Sequence, residues 1–111
     1  MRRLAALTVV MLASCRHGAP SLDAEYQEAR SLLSSERYDA ALPKADEGLR
    51  RAERSGTEAE RWRFRLLKGD ILIGQRSSAK ALAHINQYAA PPAGTEWVET
   101  RARVLLLRGR A

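Results

Sequence analysis

Two stretches of the chain decide its predicted fold. Residues 29–42 read ARSLLSSERYDAAL, and residues 69–82 read GDILIGQRSSAKAL. When Ala29 is aligned with Gly69 and the register is kept, small residues and leucines also coincide at Leu32/Leu72, Ala41/Ala81 and Leu42/Leu82. We call this alignment the repeat register. Because one register spans two helical segments, the sequence predicts a repeated pair of helices.

Around this repeat, apolar residues recur at helical spacing in five segments. The predicted helices run from about Asp23 to Ser34, from Tyr38 to Arg54, from Thr57 to Gly74, from Ser77 or Ser78 to Ala89, and from Thr95 to Gly109. Thr57 and Glu60 have the spacing of a capping box, and Thr95 is expected to cap the last helix, which Gly109 ends. Short loops favour antiparallel neighbours. The prediction is an all-α fold of antiparallel helix pairs, stacked as a short α-solenoid.

The repeat resembles the tetratricopeptide repeat family. In that family a small residue lies where the two helices of a unit approach, and an aromatic residue precedes an Ala-Leu pair in the second helix. Ala29 and Gly69 match the small site, and Tyr38 matches the aromatic site. Ser78 stands at the aromatic site of the second unit, and the period exceeds the usual one of about 34 residues. The resemblance therefore implies units with long helices.

The repeat domain is expected to cover residues 22–111, with repeat 1 at about 22–55, repeat 2 at about 57–91 and a partial third unit at about 95–111. In the third unit Ala102 is aligned with Gly69, which requires a shorter period than the repeat register. The residues expected to pack the units together are Ala29, Leu32, Tyr38, Ala41, Leu42, Gly69, Leu72, Ala81 and Leu82. The alternative is a generic helical bundle of similar composition.

Residues 1–14 have the order of an export signal. Arg2 and Arg3 precede an apolar run of about ten residues, which is far shorter than a membrane-spanning helix requires. Small residues follow this run, as they do at a cleavage site. The alternative interpretations are an ordinary signal peptide with a chance cysteine and a short buried apolar segment.

The end of this segment resembles the lipobox of bacterial lipoproteins at all four positions, Leu12-Ala13-Ser14-Cys15. The resemblance implies cleavage before Cys15 and acylation of its thiol, with residues 15–21 as lipidated cysteine and tether. Position 16 is Arg, so by resemblance the protein is expected at the outer membrane, facing the periplasm. Two or more acyl chains would anchor it stably in the membrane.

Composition and charge exclude several classes of function. The net charge is +6 and would fall by two on loss of Arg2 and Arg3, and it is spread among many acidic residues. A nucleic-acid binder concentrates its basic residues on one stripe, so no nucleic-acid partner is predicted. The single cysteine permits no internal disulfide.

No catalytic constellation, cofactor or metal site is predicted. The two histidines, His17 and His84, are far apart in the sequence, and Cys15 is expected to be lipidated. No Gly-rich phosphate loop is present, and no nucleophile elbow surrounds any serine. His17 is interpreted as a tether residue, and His84 as a surface or half-buried one.

Arg61, Arg65 and Lys68 recur on one face of the third predicted helix. Our hypothesis is that they recognise an acidic peptide or lipid headgroup, and the alternative is an ordinary solvated helix surface near Glu58 and Glu60. The predicted function is a membrane-anchored protein-interaction module, which binds a peptide or helix on a surface lined by the first helices of the units.

Two other functions stay open. The segment from Trp62 to Lys68 resembles repeats that precede a caspase-like protease domain, and on that interpretation the chain is a regulatory N-terminal fragment of such an enzyme. The other is a structural subunit of an envelope assembly. Residues 104–107, Val-Leu-Leu-Leu, are apolar on all sides of the last helix. That helix is expected to belong to a longer array, or to meet a partner or a second copy.

Overall fold

The computed structural model describes residues 20–111. They form five α-helices, α1 Leu22–Ser34, α2 Tyr38–Ser55, α3 Glu58–Gly74, α4 Ser78–Asn86 and α5 Val98–Arg110, and a short 3-10 helix, Thr95–Trp97, leads into α5. This part of the chain contains no strand, so the all-α prediction is confirmed. The predicted signal, the lipobox with Cys15, and all but the last two residues of the tether lie outside the described residues.

Each helix packs against the next one along the chain, as the short loops predict. In addition, α3 contacts both α1 and α5, so the three odd-numbered helices form a row. The even-numbered helices α2 and α4 do not contact one another. Helix α3 therefore contacts all four other α-helices and is the centre of the molecule.

The repeat register is visible in the turns that join each pair. The N–H of Arg37 donates to the carbonyl of Leu32 at 2.9 Å, and the N–H of Ser77 donates to the carbonyl of Leu72 at 2.9 Å. Both bonds reach five positions back along the chain, which is the Schellman ending of an α-helix. Helices α2 and α4 then begin at corresponding positions, Tyr38 and Ser78.

Most of the predicted packing residues lie in the core. Ala29, Ala41 and Ala81 are fully buried, and Leu72 is almost fully buried. Leu32, Tyr38 and Leu42 are partly buried against the cluster between α1, α2 and α3. Gly74 leaves room for the Tyr38 ring, which a Cβ would meet at 2.3 Å.

Leu82 was predicted to pack between the units, and this prediction is wrong. Its side chain is 38% exposed. Leu42, its counterpart in the first unit, is partly buried against the cluster between α1, α2 and α3. The cluster that packs α3, α4 and α5 together contains Ile85 and leaves out Leu82, which is partly exposed.

The fourth helix is shorter than predicted. Helix α4 ends at Asn86, which leaves Tyr88 and Ala89 outside it. The Tyr88 ring packs edge-on against Trp62 and His84, with centroid distances of 6.2 and 5.4 Å. These contacts fix Tyr88 beyond the helix end, and Pro91 disfavours helical backbone in the residue before it.

The boundaries of α5 also differ from the prediction. Thr95 makes no side-chain cap, and the 3-10 turn that it begins is preceded by Gly94 at φ 131°. Gly109 does not end the helix, because α5 continues to Arg110. One glycine costs a helix only about 1 kcal/mol, which packing of a neighbouring side chain readily offsets. In α5 this packing comes from Leu107, which lies close before Gly109 on the helix and is buried against α3.

The proposed alignment of Ala102 with Gly69 is wrong as well. Val104 and Leu107 of α5 pack against α3 as Phe64 and Leu67 of α3 pack against α1, so the third unit keeps the repeat register of the first two. Gly109 is therefore the counterpart of Gly69, whereas Ala102 is exposed. The residue that contacts Gly69 is Leu107.

Candidate functional site

Helix α3 presents two different surfaces, on opposite sides of its axis. At about 100° per residue, Arg61, Arg65 and Lys68 fall on one side of the helix. Trp62, Arg63 and Leu66 fall on the other side, toward α5. The first surface faces the gap between α2 and α4, and the second lies on the row of odd-numbered helices.

The three basic residues predicted to bind a partner all make ion pairs within the protein. Arg61 donates to the Gly56 carbonyl at 2.7 Å and to the Glu58 carboxylate at 2.6 Å. Lys68 lies 2.7 Å from an oxygen of Asp46 on α2. The alternative interpretation is an ordinary solvated helix surface. It does not account for the ion pair that joins Lys68 of α3 to Asp46 of α2.

Arg65 is the most enclosed of the three, with a side chain only 12% exposed. It donates two hydrogen bonds to the Glu53 carboxylate, at 2.8 and 3.0 Å. Its guanidinium also stacks over the rings of Tyr88 and Trp62, at 4.2 and 4.9 Å from their centroids. A guanidinium that is paired and stacked in this way is poorly placed to bind an external carboxylate.

We call the surface formed by Arg61, Arg65 and Lys68 the basic face. The contacts of these residues within the protein change what this face can do. The hypothesis placed Arg65 and Lys68 on the surface lined by the odd-numbered helices, and the structure pairs them with Glu53 and Asp46 of α2. Reversing all three charges would also oppose carboxylates to Glu53, Glu58 and Asp46. We therefore expect such a variant to be destabilised, and recognition by this face stays a prediction.

His84 lies beside this face and is buried, whereas the sequence suggested a surface or half-buried position. Its Nε2 donates to the Arg65 carbonyl at 2.9 Å. Burial lowers the pKa of His84, an effect that the hydrogen bond to the Arg65 carbonyl opposes and the nearby charge of Lys68 reinforces. The imidazole therefore serves as a neutral hydrogen-bond donor that ties α4 to α3.

On the opposite side, a crevice of about 250 Å³ lies between the first halves of α3 and α5. Its walls come from α3 and from the segment that enters α5, and they consist of Ala59, Trp62, Arg63, Leu66, Glu96, Trp97, Thr100 and Arg103. We call it the tryptophan crevice. Trp62 is buried at its floor, and Trp97 is half-buried at its edge.

Two arginines give the tryptophan crevice a basic rim. Arg63 lies over the Tyr26 ring at 4.0 Å and reaches Asp23 at 3.4 Å. Arg103 lies 3.6 Å from Asp70. Both ion pairs are long and partly exposed to solvent, so they are weak compared with the short pair of Arg65 and Glu53.

The sequence does not mark this crevice directly. Trp62 and Trp97 are distant in the sequence and belong to different units, and neither carries a motif. One usable signal existed, because the repeat register carries Arg63 onto Arg103. That signal required the third unit to be aligned correctly.

The described residues contain no group of three or more His, Cys, Asp or Glu side chains that could hold a metal ion. Among these same residues, no helix combines the length and apolar character needed to cross a bilayer. Comparison with known protein families, with curated proteins and with solved structures finds no match. The fold and the site thus define an all-α protein of stacked antiparallel helix pairs, with an apolar crevice between the second and third units.

Proposed function

We propose that this protein is a membrane-anchored protein-interaction module of the cell envelope, similar to tetratricopeptide repeat proteins, and that its tryptophan crevice binds a segment of another protein. The observation that carries the proposal is the crevice itself, an apolar concavity with polar groups at its rim. Such concavities are where proteins bind small or extended ligands.

The chemistry of the crevice indicates what kind of segment it would accept. Its floor, Trp62 and Leu66, suits one apolar or aromatic side chain. Arg63 and Arg103 stand at the rim, and because their pairs with Asp23 and Asp70 are long and partly exposed, both guanidinium groups can reach a further carboxylate. We infer a segment with one bulky apolar side chain next to an acidic residue.

The proposed address rests on the sequence alone. The lipobox Leu12-Ala13-Ser14-Cys15 supports acylation of Cys15, which would keep the module at a membrane. An anchored module meets other envelope proteins at a high effective concentration. A modest affinity of the tryptophan crevice for its partner would therefore be sufficient for binding.

Photo-crosslinking of the full chain in cells tests the binding site. A photoreactive amino acid is placed at Thr100 in the crevice wall, and as a matched control at Gln27, which is exposed on α1. We expect a defined adduct from Thr100 that Trp97→Ala reduces about tenfold, because burial of an aromatic side chain contributes at least that factor. Equal adducts at both positions, or none at Thr100, would reject the crevice.

Fractionation tests the address independently. The wild-type protein is expected in the membrane fraction and the Cys15→Ser variant in the soluble fraction of the envelope. A wild-type protein recovered in the soluble fraction with a free thiol would contradict lipid anchoring. That result would leave the crosslinking result at Thr100 unaffected.

A further inference from the structure

Three arginines act on one carboxylate of the central helix. Around Asp70 of α3, the Nη2 of Arg103 lies 3.6 Å from one carboxylate oxygen and the Nη1 of Arg110 lies 3.8 Å from the other. The charge of Arg30 on α1 acts on the same carboxylate. We call Arg30, Arg103 and Arg110 the arginine cluster. Because Arg30, Asp70 and Arg110 are equivalent in the repeat register, the cluster lies across the row of odd-numbered helices.

Asp70 leaves most of the hydrogen-bond donors of this cluster unused. Both of its ion pairs are longer than a hydrogen bond. Burial raises the pKa of Asp70, although the charges of Arg103, Arg110 and Arg30 lower it. Within the described part of the chain, Arg30 donates a hydrogen bond only to the Tyr26 hydroxyl, at 3.3 Å. Each guanidinium carries five N–H donors, so the cluster can still bind a further anion.

The other acidic residues nearby do not balance the cluster. Within residues 20–111, Asp70 is the only carboxylate that lies within 4 Å of any of the three guanidinium groups. Residues 1–19 contain no Asp or Glu. Glu99 lies one helical turn before Arg103. Positive charge remains in excess even when Glu99 is counted, because three guanidinium groups then face two carboxylates.

The arginine cluster continues the tryptophan crevice. Arg103 lines the crevice and also pairs with Asp70, so it belongs to both. Leu66 in the crevice and Asp70 lie one turn apart on the same side of α3, about 6 Å along the helix axis. At the other end of the crevice the wall carries Glu96. A bound segment would therefore meet a carboxylate at one end and guanidinium groups at the other.

We propose that the arginine cluster is a second subsite of the tryptophan crevice and binds a second acidic side chain of the same partner segment. This proposal rests on the proposed function, because the crevice must hold the apolar side chain of that segment. Arg103 and Arg110 lie about 10 Å apart along α5, and an extended backbone covers about 3.3 Å per residue. The second acidic residue would thus lie two or three positions from the apolar one, on the side away from Glu96.

The distribution of charge favours a protein segment over a membrane surface. Carboxylates stand among the arginines of this row, with Asp23 beside Arg63 and Asp70 within the cluster. A broad anionic surface would meet these carboxylates as well as the guanidinium groups. A narrow segment can place one carboxylate at the cluster and keep away from the acidic residues.

Peptide selection on the full chain tests the two subsites separately. Random peptides displayed on phage are selected on the wild-type protein, on Arg30→Gln/Arg110→Gln and on Arg54→Gln/Lys80→Gln. The last variant is the matched control, because it removes two positive charges from exposed positions on α2 and α4. We expect the wild type and the control to select a bulky apolar residue with Asp or Glu two or three positions away. The cluster variant should keep the apolar preference and lose the acidic one.

A synthetic copy of the most enriched peptide gives the magnitude. Its Kd should rise about three- to tenfold on Arg30→Gln/Arg110→Gln, the range expected for the loss of two partly exposed ion pairs. Replacing the second acidic residue of the peptide by its amide should raise the Kd on the wild-type protein by a similar factor, and should add little on the cluster variant. The amide peptide needs no change to the protein, so it decides the outcome even if the cluster variant does not fold.

The outcomes separate this proposal from the proposed function. Selection of apolar residues without the acidic one, or an acidic preference that the cluster variant keeps, would overturn the second subsite and leave the crevice in place. An apolar preference that Trp97→Ala does not reduce, or none at all, would reject the crevice and the cluster together. Binding to vesicles of anionic phospholipid that Arg30→Gln/Arg110→Gln abolishes would assign the cluster to a membrane surface and would also overturn the proposal.

Discussion

Glu36 and Arg76 occupy equivalent positions of the repeat and adopt the same left-handed backbone conformation, with φ values of 59° and 60°. They are the only non-glycine residues in the described part of the chain with positive φ. Each follows the first helix of a pair and turns the chain into the second. The repeat therefore includes the backbone geometry of this turn. It does so although neither glutamate nor arginine favours left-handed backbone.

Replacing either residue with glycine should stabilise the protein. Left-handed backbone costs a residue with a Cβ about 1–2 kcal/mol, and glycine escapes this cost but gains entropy in the unfolded chain. We expect Glu36→Gly and Arg76→Gly each to raise the free energy of unfolding by about 0.5–1 kcal/mol, measured by urea denaturation. Arg37→Gly, at a φ of −91°, is the matched control and should give no gain. Equal effects at positions 36 and 37 would contradict this explanation.

The sequence predicted the helices well because their apolar spacing and capping box are local signals. Thr57, for example, caps α3 as expected. The prediction failed where tertiary contacts decide, as at Tyr88, which Trp62 and Arg65 hold outside α4. Alignment of Ala102 with Gly69 failed because composition alone does not distinguish a small residue in solvent from one under a leucine.

The candidate site was only partly predictable for a similar reason. Spacing correctly placed Arg61, Arg65 and Lys68 on one side of α3, but spacing within one helix does not tell which neighbour that side faces. The acidic partners Glu53 and Asp46 belong to α2. The tryptophan crevice required two separate units to be placed side by side, which only the correct register of α5 provides.

Gly48 should not tolerate a side chain. A Cβ there would lie 2.1 Å from the Phe64 ring, which is itself 1% exposed and packed against Tyr26. We expect Gly48→Ala to lower the free energy of unfolding by about 1–3 kcal/mol, the usual range for overpacking a core. The thermal unfolding midpoint gives the measurement.

The double variant Gly48→Ala/Phe64→Leu tests the cause of that loss. A smaller side chain at position 64 should recover part of the stability relative to the sum of the two single changes. If the two losses simply add, the Phe64 ring is not what the new methyl group meets.

His84 should make stability depend on pH. Burial lowers its pKa in the folded protein below the value of about 6.5 for an unfolded histidine. The hydrogen bond to the Arg65 carbonyl and the charge of Asp46 oppose this shift of the pKa, and the charges of Lys68 and Arg65 reinforce it. The unfolded chain therefore binds more protons as the pH falls below about 6.5, and the stability gained from the neutral imidazole is lost there.

Urea denaturation between about pH 5 and pH 8 checks this, because that range contains the titration of histidine. In the wild-type protein the free energy of unfolding should decrease as the pH is lowered. His84→Gln should flatten the curve of unfolding free energy against pH. His17→Gln is the matched control for the loss of a histidine. An unchanged slope in His84→Gln would show that other groups cause the pH dependence.

The capping box of α3 should behave as one unit. The Glu60 N–H donates to the Thr57 hydroxyl at 3.1 Å, and the Thr57 N–H donates to the Glu60 carboxylate at 2.9 Å. We expect Thr57→Ala to cost about 1 kcal/mol of unfolding free energy, and the double variant with Glu60→Ala to cost less than the sum of the single changes. Strict additivity in denaturation experiments would argue that the two bonds act separately.

Exchange of the charges at Arg65 and Glu53 tests whether this arginine holds the molecule together. Arg65→Glu places a carboxylate against Glu53 and Glu58 in a setting that leaves the arginine side chain only 12% exposed. Loss of hydrogen bonds to a charged group costs about 1.5–3 kcal/mol, so the free energy of unfolding should fall by at least that amount.

The swapped variant Arg65→Glu/Glu53→Arg restores opposite charges but loses the stacking of a guanidinium over Tyr88 and Trp62. Partial recovery is therefore expected, and Arg65→Lys should also fall short of the wild type because an ammonium group neither stacks nor binds a carboxylate with two parallel bonds. Thermal unfolding of the wild type, Arg65→Glu, Glu53→Arg and the swapped variant measures the coupling between the two charges, and Arg65→Lys is compared with the wild type. If Arg65→Glu unfolds at the wild-type temperature, Arg65 is free of any structural role, and the prediction that it recognises a partner gains support.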